Sequence, residues 1–208
     1  MELPKIAAAP LAAAAVGPIS MDTLVAATAS GIAQAPERVW YEPLELENAA
    51  DSKERFDKPD YTETLREIVL SVLMSHGPIR DDVLVEKVAE CHGFQRTGKN
   101  IRERILSVLP WTIATTETVG RFLWAATVPE GFIPFRHPRN DSRRRDVDEI
   151  PIQELIGLAL ELPALATSPD PALLLARALG VERLTGSVRE RLTHAIEHSQ
   201  ALRRTSTE

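Results

Sequence analysis

Residues 92–106 read HGFQRTGKNIRERIL, a Gly-Phe turn that runs into Arg and Lys and then opens an apolar-periodic helix. Two readings compete for it. One is the turn and recognition helix of a nucleic-acid reader, whose N-terminal half enters the major groove. The other is a helix start with a solvated charged face. The segments on either side narrow the choice of fold. Upstream, YTETLREIVLSVLMSHGPI begins at Tyr61, places Leu65, Ile68, Val69, Val72 and Leu73 at helical spacing behind a Thr62 cap, and is stopped by Gly77-Pro78. RDDVLVEKVAECHG then gives a second helix, capped by Asp81 or Asp82, with Val83, Leu84, Val88 and Cys91 on one stripe. Gly93 suits a left-handed C-terminal turn and Phe94 plugs the core. A third helix from about Asn100 buries Ile101, Ile105, Val108 and Leu109.

Downstream the period changes. WTIATTETVGRFLWAA is rich in β-branched and aromatic residues, which predicts a hairpin over about 111–115 and 121–125. Three helices followed by a hairpin make the layout of a winged helix-turn-helix over 61–128. Residues 129–148 read as a connector, because Pro129, Pro134 and Pro138 oppose regular structure. Residues 1–60 begin Ala- and Pro-rich, as a linker or tether; a secretory signal is opposed by Glu2 and by Pro10 and Pro18 in the apolar stretch. Trp40, Tyr41 and Leu44 are candidates to dock as a short extended arm.

An offset of 87 residues lays GFQRTGKNIRERI over GVERLTGSVRERL. Gly93 falls on Gly180, Arg102-Glu103-Arg104 on Arg189-Glu190-Arg191, Leu73 on Leu160 and Glu67 on Glu154, without a gap. The matching apolar positions imply the same three-helix packing twice. The expected fold is therefore mainly α: a winged helix-turn-helix-like unit and a second, wingless three-helix unit over 149–200, ending in a polar tail over 201–208. Duplication and convergence of amphipathic patterns both account for the repeat.

The 208 residues carry 24 basic and 30 acidic side chains, a net charge of −6, so no general polyanion-binding signature exists. Residues 62–145 alone are mildly basic, with 13 basic against 10 acidic side chains. A single cysteine, Cys91, excludes an internal disulfide and suits a reducing, cytoplasmic setting. No apolar run reaches the roughly 18–20 residues that span a membrane.

Blocks in the order EIVLSVLMSHGPIRDDVLVEKVAECHGFQRTGKNIRERI, RFLW and RRRDVDEIPIQELIGLAL resemble the bacterial domain-of-unknown-function family 3320 over about 61–198. That resemblance implies a C-terminal accessory domain of superfamily-1 helicase-like proteins, next to a Vsr-like nuclease module. It implies DNA-processing or defence machinery and no enzyme activity in this segment. The family offers no catalytic residues to carry over, and this chain has no Walker motif.

The candidate nucleic-acid contacts are Arg96, Lys99, Asn100, Arg102 and Arg104 at the third helix and Arg143, Arg144 and Arg145 in the basic run RHPRNDSRRRD. Arg reads the guanine edge or phosphate and Asn reads adenine. Glu103 opposes this, and Arg104 and Arg191 have an alternative use in pairing with carboxylates of neighbouring helices. Trp111 and Trp124 fit packing better than base stacking. HAIEH, residues 194–198, matches an inverted zinc-peptidase spacing but has no room downstream for a further ligand, so surface histidines are expected. Cys91-His92 reads as a helix end, and His76 and His137 lie in turns. No cofactor, metal or catalytic residue is expected. The expected role is an accessory module that binds duplex DNA weakly. The alternative is a protein-docking or homodimerising module for a helicase or nuclease partner.

Overall fold

Apolar residues at three- and four-residue spacing make the chain mainly α-helical in the computed structural model, which describes residues 38–41, 50–109, 112–139 and 144–205. All of these lie in one compact unit, Pro36–Glu208. Its elements are, in order, β1 Val39–Tyr41, α1 Thr62–His76, β2 Ile79–Arg80, α2 Asp81–Cys91 and α3 Lys99–Ser107. There follow β3 Ile113–Glu117, β4 Gly120–Trp124, β5 Arg136–Pro138, α4 Ile152–Glu161, α5 Pro171–Leu179 and α6 Gly186–Thr205.

The first core is built by α1, α2 and α3, whose Leu65, Val69, Leu84, Val88 and Ile105 are buried together. The two-residue β2 leads directly into α2. It completes a three-stranded sheet of order β2-β4-β3, in which Ile79 pairs with Leu123 and Ile113 with Trp124, both antiparallel. Phe122, Leu123 and Trp124 are buried, and the Trp124 indole donates to Thr115 at 2.9 Å. Trp124 therefore packs; Trp111 lies outside the described residues. Order begins upstream of Tyr61. Short 3-10 turns at Ala50–Arg55 and Pro59–Tyr61 seat Phe56, which is 1% exposed, against the same core.

The second core is built by α4, α5 and α6 around Leu155, Leu175, Leu192 and Ala195. Positions 87 residues apart adopt the same local geometry. Gly93 and Gly180 have φ of 73° and 74°, in the left-handed region that favours glycine. Phe94 N–H donates to Ala89 at 3.0 Å, and Val181 N–H donates to Ala176 at 2.9 Å. α3 starts at Lys99 and α6 at Gly186, again 87 residues on. The first helices match less well. Pro151 stands at the N-cap of α4, so that helix starts late and is shorter than α1. α6 continues to Thr205, through residues whose composition suggests a polar tail.

The segment between the cores is not a plain spacer. β5 pairs in parallel with β1, Val39 opposite Arg136, which docks Tyr41 in the interior while Trp40 stays 42% exposed. Phe135, Val147 and Ile150 join the second core. Gly157 lets this segment pass close over α4, since a Cβ there would collide with the Ile133 carbonyl. Among the described residues, no helix is long and apolar enough to cross a membrane.

Candidate functional site

The charged face of α3 is partly consumed inside the fold. Arg104 donates to the main-chain carbonyls of Phe56 and Lys58, each at 3.2 Å, and to the Thr62 hydroxyl at 2.9 Å. Thr62 thus anchors an arginine and does not cap α1 with its side chain. Arg102 sits 2.9 Å from Asp81, which also accepts from Arg121 of β4 at 3.2 Å. One nearly buried carboxylate at the start of α2 therefore ties α3 to the sheet. Of the remaining candidates, Lys99 lies 3.8 Å from Glu103, and Arg96 and Asn100 are exposed.

The second core treats its equivalent arginines similarly. Arg189 forms a two-pronged pair with Asp170 at 2.8 and 3.0 Å, and Asp170 also caps α5 by accepting from the Leu173 N–H at 3.1 Å. Arg191 donates to the Ile150 carbonyl at 2.7 Å and pairs with Glu117 at 2.5 Å. Glu117 belongs to the hairpin of the first half. Its other oxygen accepts from the Ile152 N–H, at 3.0 Å, at the N-terminus of α4. The hairpin end is therefore occupied by the second core.

The basic connector packs onto a fully buried carboxylate of α4. Glu154 is fully buried and held by Arg136 at 2.9 Å and by Arg145 through its two terminal guanidinium nitrogens. Burial alone would raise its pKa, but the hydrogen bonds and charges of Arg145 and Arg136 outweigh it and hold the carboxyl below its ordinary value. Arg136 also donates to the carbonyls of His76 at 2.9 Å, Gly77 at 2.8 Å and Pro78 at 3.3 Å. These carbonyls lie at and just beyond the end of α1, where no helical N–H reaches them, so the ion pair staples the end of α1 to α4. Arg145 lies over the Tyr41 ring, 4.6 Å from its centroid. Arg144 is exposed and packs against Gly180, where a Cβ would collide with its guanidinium. Arg143 lies outside the described residues.

A cleft of about 650 Å³ opens between α2, the 93–97 turn and the connector, and Tyr41, Ile79, Val83 and Phe94 line it. Its charges are mixed: Lys87, Arg96 and Arg144 face Glu86, Glu90 and Glu149. The structure thus gathers Arg96 and Arg144 at one cleft, leaves Lys99 and Asn100 exposed on α3, and gives Arg102, Arg104 and Arg145 internal partners.

His92 is buried. Its Nε2 faces the Tyr61 hydroxyl at 2.9 Å and its Nδ1 the Val88 carbonyl at 2.7 Å. Only an N–H can satisfy a carbonyl, so Nδ1 carries the proton and Nε2 accepts from Tyr61. Burial pushes the His92 pKa below its ordinary value and that of the Cys91 thiol up to about 11. This pair therefore lacks thiolate character. Among the described residues, no group of three or more His, Cys, Asp or Glu side chains is placed to hold a metal ion.

A family model described as "Protein of unknown function (DUF3320)" matches residues 54–103. This supports that domain family for α1, α2, the turn and the start of α3. The match takes in Phe56, upstream of Tyr61, and does not reach the hairpin or the second core. No curated protein and no solved structure matches the chain.

Proposed function

We propose that this chain is a non-catalytic, cytoplasmic docking module that binds a protein partner of helicase or nuclease type. The observation that carries this reading is the internal use of the arginines that a DNA reader would present. Arg102, Arg104 and Arg145 are engaged with Asp81, with carbonyls and with Glu154, and Glu117 holds the hairpin end on Arg191. What stays open to a partner is a mixed-charge cleft with an apolar floor at Ile79, Val83 and Phe94. Mixed charge suits a protein surface better than a polyanion. The element order α1-β2-α2-α3-β3-β4 supports reading the first half as a winged helix, a fold that serves protein docking and DNA binding alike. The equivalences 87 residues apart support reading the second half as a wingless duplicate.

A second reading, weak duplex contact, is favoured by the exposure of Arg96, Lys99, Asn100 and Arg144. Two experiments separate the readings. The first is co-purification with a co-expressed helicase- or nuclease-type chain, alone and after Val83→Arg. A complex lost in the folded variant supports docking; no complex, or one indifferent to V83R, sinks it. The second is anisotropy of a labelled 30-base-pair duplex at two salt concentrations. Binding that falls steeply with salt and vanishes in the R96E/K99E/R144E variant supports DNA contact.

A further inference from the structure

Of the five histidines, three are engaged within the fold. His76 is buried with Nδ1 2.6 Å from the Tyr41 hydroxyl, His92 sits between Tyr61 and Val88, and His137 Nε2 lies 2.8 Å from Glu161. His194 and His198 differ. Both are exposed on successive turns of α6, with ring centroids 4.4 Å apart and planes at 74°. The opposite face of the same helix carries Leu192, Ala195, Ile196 and Ser199, all buried, so the backbone beneath the two rings is fixed by packing.

We propose that His194 and His198 form a bidentate surface site for a late divalent transition ion, Cu²⁺ or Ni²⁺ in preference to Zn²⁺, Mn²⁺ or Mg²⁺. Two imidazoles one helical turn apart can take neighbouring coordination positions on one ion, leaving the others to water or to a ligand from a partner. Nitrogen donors select late transition ions, with Cu²⁺ the tightest of the divalent first-row series, whereas Mg²⁺ requires oxygen ligands. Because the helix already holds the imidazoles together, the second bond forms with little loss of conformational freedom. Local charge also favours a cation: Glu190 stands one turn before His194 and Glu197 is adjacent to His198, both exposed. Arg191, the cation nearest in sequence, is turned inward to Glu117. With two protein ligands the site binds and presents an ion. It is not the three-ligand centre of a metallopeptidase.

The test is Cu²⁺ titration of the full chain followed by electron paramagnetic resonance, with Ni²⁺ and Mg²⁺ titrated by calorimetry. The expected result is one equivalent of Cu²⁺ with two nitrogen donors, weaker Ni²⁺ and no Mg²⁺ binding. His194→Gln and His198→Gln should each weaken binding at least about tenfold, and the double variant should abolish it. Melting should be unchanged, because both rings are exposed. Equal Cu²⁺ binding by the double variant, as at the chain's amino terminus, would overturn the proposal, as would single variants that bind like the parent.

Discussion

Glu67 and Glu154 stand 87 residues apart in the sequence, yet Glu67 is exposed on α1 and Glu154 is fully buried on α4. Each half has a core built on three helices; what lies over their first helices differs. Nothing described covers Glu67 as Arg136 and Arg145 cover Glu154. At the 87-residue offset the glycine turns coincide, while the meaning of a charged position is set by what the rest of the chain brings to it. The arginines make the same point. Arg104 is satisfied within its own half, and Arg191 takes its carboxylate from the other.

The sharpest way to break this comparison is Glu154→Gln against Glu67→Gln. E154Q leaves Arg136 and Arg145 buried without a counter-charge and should cost about 3–5 kcal/mol in denaturant unfolding. E67Q should fall within about 0.5 kcal/mol of the parent. Equal losses would mean that the burial of Glu154 contributes nothing special. Glu117→Ala should come next, at about 2–3 kcal/mol, because Arg191 keeps the Ile150 carbonyl but loses its charge partner. Hydrogen exchange should show the loss in α4 and α6, the helices of the second half; faster exchange confined to β3 and β4 would contradict the bridging role of Glu117.

Asp81→Ala sharpens the comparison of the two arginine pairs at the starts of α3 and α6. It frees Arg102 and Arg121 together and should cost about 1 kcal/mol, reduced by the partial exposure of both arginines. Asp170→Asn, which keeps a capping oxygen for the Leu173 N–H and removes only the charge opposite Arg189, should cost less on the same melt. The smallest effect is a slope with pH. The His92 pKa is depressed by burial, so the unfolded chain binds a proton that the folded chain refuses. The His92 contribution should be level above pH 6.5, the ordinary value, and stability should fall as pH drops below it toward the folded pKa. His92→Gln should flatten that slope; an unchanged slope would assign it to another group. Glu154, held low by its two arginines, adds a further loss only below the ordinary carboxylate range near 4.5.

Much of the fold was legible in the residues, because its determinants are local. Leu65, Val69, Val88 and Ile105 announce their helices by spacing, and Gly93 and Gly180 announce the left-handed turns. The hairpin is shifted by about two residues in its first strand and one in its second, as strand ends without tight turn residues allow. What stayed hidden depends on partners distant in sequence. Phe56 lies in a polar stretch, and only its contact with His92 and Phe94 places it inside. Glu154 sits in the apolar run IPIQELIGLAL, and a lone acid there was the available sign of a buried ion pair. The basic run looked like a phosphate-binding arm because charge is visible in sequence and its counter-charge, 9 residues from Arg145 and 18 from Arg136, is not.

The hairpin end that reaches from the first half to Arg191 has a consequence for how the chain tolerates being cut. A break between Arg139 and Arg144 would leave Glu117 and Arg136 on one piece and Arg191, Ile152 and Glu154 on the other. Each piece would carry what the other's buried charges require. The two should behave as complementing fragments that reassemble without a covalent link, and neither should be as stable alone.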